Sequence, residues 1–194
     1  MIAIKDLTVA YSGQTVLKHC DLTVRSGQHV ALMGASGSGK TTLINVIAGL
    51  VKPASGTVTV DGKVSYVFQE PALFPWLTAL ENVNVVLSDG DATRDEARRW
   101  LCEAGLEEHL QKYPHQLSGG QKQRVARCLA LAYGGEILLL DEPLKGLDAD
   151  TRDRVVALLN RECRDKTVLL VTHDPREAEA LCDSVLQYKN GQFV

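Results

Sequence analysis

Apolar positions recur at two different spacings along the chain, and the spacing predicts which segments form strands and which form helices. "MIAIKDLTVAY" and "TVLKHCDLTV" look like short strands with alternating apolar and polar residues. "HVALM", "EILLLDE" and "TVLLVTH" are apolar runs typical of strands that are buried on both faces of a parallel sheet. Helical patterns separate these runs in "TTLINVIAGL", after Ser118, near residues 150–164 and from Arg176. The alternation of strands and helices predicts an α/β fold with a parallel sheet.

Turn residues predict how some of these elements connect. The alternating segment "SGTVTVDGKVSYVFQ" contains an Asp-Gly pair at 61–62, which is typical of a hairpin, and an Asn-Gly pair at 190–191 predicts another hairpin in the tail. From residue 71 to residue 117 the pattern becomes helical, with a capping box expected at Thr93 and Glu96. We expect a helical lobe in that region.

Composition narrows the class of protein. The 194 residues are 45% hydrophobic and 23% charged, as in an ordinary globular chain with one good core. A net charge of -3 without a basic run gives no indication of nucleic acid as a partner. Five scattered cysteines suggest neither disulfides nor zinc. No segment approaches the ~20 apolar residues that a membrane span needs, so we expect a chain that is neither exported nor itself embedded.

The segment "GASGSGKTT", residues 34–42, predicts a site for the phosphates of a nucleotide. It follows a predicted strand and precedes a predicted helix, which is the context that a phosphate-binding loop requires. Glycines let successive N–H groups point inward, Lys40 can reach the β- and γ-phosphates, and the Thr41 hydroxyl can bind Mg²⁺. The expected ATP-binding residues of this loop are Gly34, Ala35, Ser36, Gly37, Ser38, Gly39, Lys40, Thr41 and Thr42.

Two acids end the apolar run "ILLLDE" at the carboxyl edge of the predicted sheet. We expect Asp141 to contribute to the Mg²⁺ shell and Glu142 to polarise the attacking water. A second candidate anion site lies far away in sequence at "QLSGGQKQR", where Ser118 and two glycines precede a helix. The sequence therefore contains two candidate phosphate-binding sites in one domain.

These segments together resemble the ABC-type ATPases, the nucleotide-binding subunits of ATP-driven transporters, over essentially the whole chain. "LSGGQ" at 117–121 is similar to the signature loop of that family, Gln69 to its Q-loop, "GLD" at 146–148 to its D-loop, and His173 to its switch histidine. Tyr11 resembles the aromatic residue that stacks on adenine. The resemblance implies a P-loop NTPase fold with an antiparallel β part at the N-terminus and an inserted helical lobe.

The resemblance also implies a division of the single domain and a set of roles. Residues 1–70 and 118–194 would form the nucleotide-binding core, and residues 71–117 the helical lobe. Two copies would pack head to tail, so that the signature loop of each reads the ATP bound to the other. The implied roles are catalytic for Glu142, His173 and Gln69, metal-binding for Thr41, Gln69 and Asp141, signature-loop for Leu117, Ser118, Gly119, Gly120 and Gln121, and D-loop for Gly146, Leu147 and Asp148.

The segment "QEPALFPWLTALENV" bears on what ATP hydrolysis would drive. It concentrates apolar bulk beside two prolines, and the family docks a helix of the membrane permease here; the docking residues would be Leu73, Phe74, Trp76 and Leu77. The sequence of this segment resembles that of importer ATPases of the nitrate, sulfonate and taurine group. It implies a permease partner, an extracytoplasmic solute-binding protein, a small anionic solute and a peripheral location on the cytoplasmic face of the membrane. The alternative is a soluble ABC ATPase of an assembly complex, as in iron-sulfur biogenesis.

Ordinary structural roles remain open for several of these residues. His173 could be a satisfied core histidine, Tyr11 could pack in its strand, and the apolar residues near Trp76 could cap the core of the lobe. The chain also departs from the family pattern, since "VARCLAL" puts Arg127 two residues early and Leu129 where arginine is expected. We expect Arg124, on the same helix, to lie on a solvated face.

Overall fold

The computed structural model describes residues 1–87, 91–189 and 192–193, and strands alternate with helices along most of that length. The strands are β1 (Ile2–Tyr11), β2 (Gln14–Val24), β3 (His29–Met33), β4 (Ser55–Val60), β5 (Val64–Val67), β6 (Ile137–Asp141), β7 (Thr167–Val171), β8 (Ser184–Lys189) and β9 (Gln192–Phe193). The α-helices are α1 (Lys40–Ile47), α2 (Ala79–Asn84), α3 (Asp91–Glu103), α4 (Gly119–Ala132), α5 (Ala149–Cys163) and α6 (Pro175–Leu181). Short 3-10 turns cover Glu107–His109 and Pro114–Gln116.

The core sheet is mainly parallel, as the apolar runs predict. Its order is β5-β6-β7-β3-β8-β9, with parallel pairing from β5 to β8 and an antiparallel pair at β8 and β9. Every residue of β6 and of β7 is buried. Burial on both faces explains why these strands are apolar throughout instead of alternating.

A second sheet of antiparallel strands in the order β2-β1-β4 forms the expected N-terminal β part. The hairpin predicted around residues 61–62 is wrong, because β4 pairs with β1 whereas β5 pairs in parallel with β6. The Asp-Gly turn therefore carries the chain from one sheet to the other. An alternating pattern indicates that one face of a strand is buried, but it does not indicate which strand lies beside it.

Two hydrophobic clusters cover the two faces of the core sheet. Leu138 and Leu140 point into a cluster shared with α2, α3, α4 and α5, whereas Ile137 and Leu139 point into one shared with α1 and the antiparallel sheet. This alternation follows from the period of a β-strand. Since both faces are covered, the polar groups of the core strands are available at the strand ends.

The remaining connections agree only in part with the sequence pattern. Helix α3 begins at Asp91, two residues before the cap expected at Thr93. Strands β8 and β9 pair antiparallel, but the turn predicted at 190–191 lies outside the described residues. In the part of the chain that the structure describes, no helix is both long enough and apolar enough to cross a membrane.

Candidate active site

The carboxyl ends of three neighbouring strands bring the predicted site residues together. Strand β7 lies between β6 and β3 in the sheet, with Asp141 opposite Val171 and Leu32 opposite the same residue. The glycine loop follows β3, Asp141 ends β6 with Glu142 directly after it, and His173 follows β7. In an open α/β sheet this edge is where ligands bind.

A cavity of about 220 Å³ lies at this edge of the sheet. Its lining includes most of the glycine loop, the predicted Gln69 and Glu142, and three residues that the sequence did not single out, Val16, Lys145 and Val171. The full lining is Val16, Ser36, Gly37, Ser38, Gly39, Lys40, Thr41, Thr42, Gln69, Glu142, Lys145 and Val171. Tyr11 ends β1 and is 44% exposed, and it is not among these residues.

The backbone of the glycine loop depends on glycine at residue 39. Gly39 has a φ of 97°, and a Cβ there would lie 2.7 Å from the Leu17 side chain. It is also the N-cap of α1, and no side chain caps that helix. The first N–H groups of α1 are therefore available to an anion, which is how such a loop receives phosphates.

Lys40 supplies a cation inside the loop. Its Nζ donates hydrogen bonds to the carbonyl oxygens of Gly34 at 2.9 Å and Ala35 at 2.8 Å, and to the hydroxyl of Ser38 at 3.3 Å. Burial lowers the pKa of this ammonium, while the nearby Glu142 and Asp141 carboxylates act in the opposite direction. The loop thus holds a positive charge against its own backbone.

Asp141 has the properties of a ligand for a divalent cation. It is 1% exposed, and neither carboxylate oxygen meets a donor at hydrogen-bonding geometry within the described residues. Burial raises the pKa of Asp141, and the neighbouring Thr41 hydroxyl partly offsets that effect. A carboxylate beside a hydroxyl is the oxygen chemistry that Mg²⁺ prefers, so these residues fit such an ion.

Glu142 is held by its backbone and by two cationic or polar partners. Its φ of 49° is unusual for a residue with a side chain, and its N–H donates to the carbonyl of Val171 at 2.9 Å. His173 Nδ1 lies 3.0 Å from Oε1, and Lys145 Nζ lies 3.0 Å from Oε2 as an ion pair. Burial alone would raise the pKa of Glu142, but Lys145 and His173 together hold it below its ordinary value.

Gln69 connects the cavity with the helical part of the chain. The residue is exposed and lines the cavity, and its carbonyl accepts a hydrogen bond from Gln123 of α4 at 3.3 Å. His173 is also accessible, with a side chain that is 67% exposed. The structure therefore does not bear out a purely packing role for His173.

The signature segment does not share the cavity of its own chain. Ser118 caps α4 through a reciprocal pair of hydrogen bonds with Gln121, at 3.3 Å and 2.8 Å. Gly119 and Gly120 are exposed, with nothing within 4 Å of an added Cβ. None of residues 117–121 is among the cavity lining. The first turn of α4 is thus accessible from outside.

The D-loop residues lead from the acids into α5. Gly146 has a φ of 72°, and Leu147 packs against the core. Asp148 caps α5 by accepting hydrogen bonds from the N–H of Thr151 at 3.0 Å and from its hydroxyl at 2.8 Å. Asp148 therefore has a structural task that sequence comparison with a motif would not reveal.

The apolar segment before α2 is divided between core and surface. Leu73 packs partly against the core, whereas Trp76 is 69% exposed and Phe74 is 42% exposed, with their rings 5.7 Å apart. Leu77 is partly buried. The buried side chain of Asn82, which the sequence analysis missed, bonds to both the N–H and the carbonyl of Phe74, at 2.8 Å and 3.2 Å. A fixed loop therefore presents the two exposed rings.

The chain resembles a known protein family and full-length relatives within it. The family model described as "ABC transporter" matches residues 17–145. An aliphatic sulfonates import ATP-binding protein of Agrobacterium fabrum is 43% identical over 98% of this chain and 71% of its own length. A protein of the same description from Burkholderia cenocepacia is 42% identical over the whole chain, which spans 62% of that relative.

Solved structures resemble the whole fold. An ATP-binding cassette in a dimeric post-hydrolysis state with ADP and Pi has a TM-score of 0.92 and 35% identity, covering 100% of this chain and 96% of its own. An ATP-binding subunit of an ABC transporter has a TM-score of 0.88 and 30% identity, covering 100% of this chain and 88% of its own.

Proposed function

This chain belongs to the ABC transporter family, and we propose that it is the ATP-hydrolysing subunit of an importer, powered by ATP-driven dimerisation and reopened by hydrolysis. The observation that carries the proposal is the convergence of Lys40, Asp141 and Glu142 at one strand edge beside an uncapped helix N-terminus. Residues 1–70 and 118–194 form the nucleotide-binding core in this proposal, and residues 71–117 the helical lobe.

The residues divide the work of hydrolysis among them. The loop amides of residues 34–42 and Lys40 bind the phosphates, and Tyr11 stacks on adenine. Thr41, Asp141 and Gln69 hold Mg²⁺, which when bound neutralises phosphate charge. Glu142 accepts a hydrogen bond from the attacking water and takes its proton.

His173 and the exposed turn of α4 complete the site in this proposal. His173 orients the Glu142 carboxylate, which the 3.0 Å contact between Nδ1 and Oε1 supports. The signature loop binds the γ-phosphate held by a second copy, since none of its residues lines the cavity of its own chain and Gly119 and Gly120 are exposed at the first turn of α4. The D-loop, Gly146–Asp148, follows the signature loop in sequence and borders the partner.

The transport assignment rests on the relatives and on the exposed rings. The named relatives act in aliphatic sulfonate import, so we propose a small organic anion as the solute and an extracytoplasmic solute-binding protein in the same system. Leu73, Phe74, Trp76 and Leu77 dock an amphipathic helix of the permease, because a fixed apolar surface of this kind suits such a helix. The chain then sits peripherally on the cytoplasmic face of the membrane.

The first test measures hydrolysis and self-association together. With Mg-ATP the unmodified protein should hydrolyse ATP, whereas Glu142→Gln should be on the order of 10²-fold slower and sediment as a dimer. Glu108→Gln, at an exposed glutamate away from the cavity, is the matched control. A Glu142→Gln protein that stays monomeric with Mg-ATP and turns over normally would contradict the proposal.

The second test asks what the ATPase works with. Glu142→Gln protein is purified from gently solubilised native membranes in Mg-ATP, and the proteins bound to it are identified by mass spectrometry. A stoichiometric polytopic membrane protein supports the importer, and its transport of an alkanesulfonate can then be assayed. Soluble partners alone, with the chain absent from membranes, would instead support an ABC ATPase of an assembly complex.

A further inference from the structure

Lys145 forms an ion pair with Glu142 at the wall of the nucleotide cavity. The distance between Lys145 Nζ and Glu142 Oε2 is 3.0 Å. The lysine side chain is 51% exposed, whereas the glutamate side chain is 17% exposed. Both residues line the cavity together with the glycine loop. The pair therefore lies at the wall of the cavity proposed to hold the nucleotide.

The backbone leaves Glu142 little freedom to change its position relative to Lys145. The left-handed φ of Glu142 and its N–H bond to the Val171 carbonyl fix where its side chain starts. The Lys145 N–H donates to the Glu142 carbonyl at 3.2 Å, closing a turn that puts the two side chains on the same side. His173 holds the other carboxylate oxygen. Lys145 is thus the cation that the local fold assigns to Glu142.

Lys145 is one of the charged residues that line the cavity, together with Lys40 and Glu142. The charged or titratable groups that face or interact with Glu142 are Lys40, Asp141, Lys145, His173 and, across a neighbouring space, Arg127. Without Lys145 the Glu142 carboxylate would have no lysine at ion-pair distance among the described residues, since the Lys40 ammonium is bonded to the carbonyl oxygens of its own loop. An anion brought close to an unneutralised carboxylate is repelled, and the repulsion acts most strongly on its nearest charge.

We propose that Lys145 is a positioning residue that gives the site its preference for a triphosphate over a diphosphate, by neutralising Glu142 where the terminal phosphate binds. The inference rests on the proposed function, which puts Glu142 next to the γ-phosphate. Because a diphosphate lacks the γ-phosphate, its affinity depends less on whether the charge of Glu142 is neutralised. Lys145 acts through Glu142 and not by direct contact with the nucleotide.

Nucleotide binding without turnover tests this inference. The dissociation constants of ATP and ADP are measured by equilibrium dialysis in EDTA, so that no hydrolysis alters the ligand. Lys145→Met should weaken ATP binding about 5-fold and ADP binding less than about 2-fold, as befits a half-exposed ion pair. Lys145→Arg should retain the unmodified values, because it keeps the charge. Lys52→Met, at an exposed lysine remote from the cavity, is the matched control.

A double-mutant cycle distinguishes action through Glu142 from direct contact. In a Glu142→Gln background the charge to be neutralised is gone, so Lys145→Met should then change ATP affinity by less than about 2-fold. An undiminished loss in that background, equal losses for ATP and ADP, or no loss at all would each overturn the inference. If the unmodified chain binds neither nucleotide, the proposed function itself fails, which is a separate result.

Discussion

His173 Nδ1 lies 3.0 Å from Glu142 Oε1, although the two residues follow different strands of the core sheet. The contact is possible because β6 and β7 are parallel neighbours whose carboxyl ends meet at one edge. Backbone hydrogen bonds of the sheet therefore determine the geometry of this pair.

Replacing His173 should affect turnover more than binding. We expect His173→Ala to lower kcat by about 10²-fold with little change in KM, because Glu142 loses the partner that orients it while the phosphate loop is intact. Steady-state hydrolysis of Mg-ATP measures both constants. His115→Ala is the control, since His115 is exposed and stacks on Tyr113 away from the cavity. A rise in KM at constant kcat would contradict the orienting role.

Asp141 should show a conflict between stability and function. Asp141→Asn removes a buried charge that has no hydrogen-bond donor at bonding geometry. We expect the nucleotide-free variant to have a free energy of unfolding in urea about 1 kcal/mol higher than that of the unmodified protein. In the presence of ATP, however, adding Mg²⁺ should stabilise the unmodified protein further but not the variant. The exposed Asp165→Asn is the control. A less stable variant that still responds to Mg²⁺ would refute this account of the carboxylate.

The parts of the site that could be predicted are those whose chemistry lies in consecutive residues. Residues 34–42 and the acids after β6 combine a local motif with an apolar strand, and the parallel sheet then places them together. Lys145 could not be assigned in this way. Its partner depends on the left-handed backbone of Glu142, and no pattern of apolar positions indicates that conformation.

Long-range pairing limited the prediction of the fold in a similar way. The Asp-Gly turn at 61–62 is typical of a hairpin, but the strand before it pairs with β1 and the strand after it pairs with β6. Arg124 was expected on a solvated face, yet its guanidinium donates to the carbonyls of Ala104 and Gly105, at 2.9 Å and 3.2 Å. The sequence of a helix does not show whether one of its polar side chains will meet unpaired carbonyl groups at the end of a neighbouring helix.

The two arginines of α4 should respond in opposite directions to the same substitution. Arg127 is 3% exposed, burial lowers its pKa to about 10, and its Nη1 has no hydrogen-bond partner among the described residues. We expect Arg127→Met to raise the free energy of unfolding by about 1 kcal/mol, since an apolar side chain of similar length replaces a desolvated charge.

Arg124→Met should lower the free energy of unfolding by about 1 kcal/mol, because two carbonyls lose a charged donor. Urea denaturation of both variants, side by side, gives the comparison. A larger loss of stability for Arg127→Met than for Arg124→Met would contradict this expectation. It would show that the hydrogen bond from Arg127 to Gln123, at 3.0 Å, stabilises the fold by more than the desolvation of Arg127 costs.

Acid should weaken the start of α2. The N–H and the hydroxyl of Thr78 both donate to Glu81 Oε2 at 2.8 Å, and these two bonds hold the pKa of Glu81 below its ordinary value. A lowered acid pKa stabilises the folded state above the unfolded pKa, and that contribution is lost as pH falls through the folded one. We expect Glu81→Gln to cost about 0.5 kcal/mol at pH 7.

The cost of Glu81→Gln should shrink towards zero as the pH is lowered, because the carboxyl of the unmodified protein is then protonated as well. Urea denaturation at a series of pH values measures it. Glu107→Gln, at an exposed glutamate with no such donors, should give no pH-dependent difference. A constant cost at all pH values would show that the charge of Glu81 is not what stabilises α2.

Trp76 should matter for the permease and not for folding. Its side chain is 69% exposed and contacts the ring of Phe74, so Trp76→Ala should change the free energy of unfolding by less than about 0.5 kcal/mol. A large aromatic residue at the centre of an interface contributes strongly to binding, so co-purification of the permease should fall about 10-fold or more. Leu50→Ala, at a residue that is 60% exposed elsewhere on the surface, is the control. Equal recovery of the permease with both variants would remove Trp76 from the docking surface.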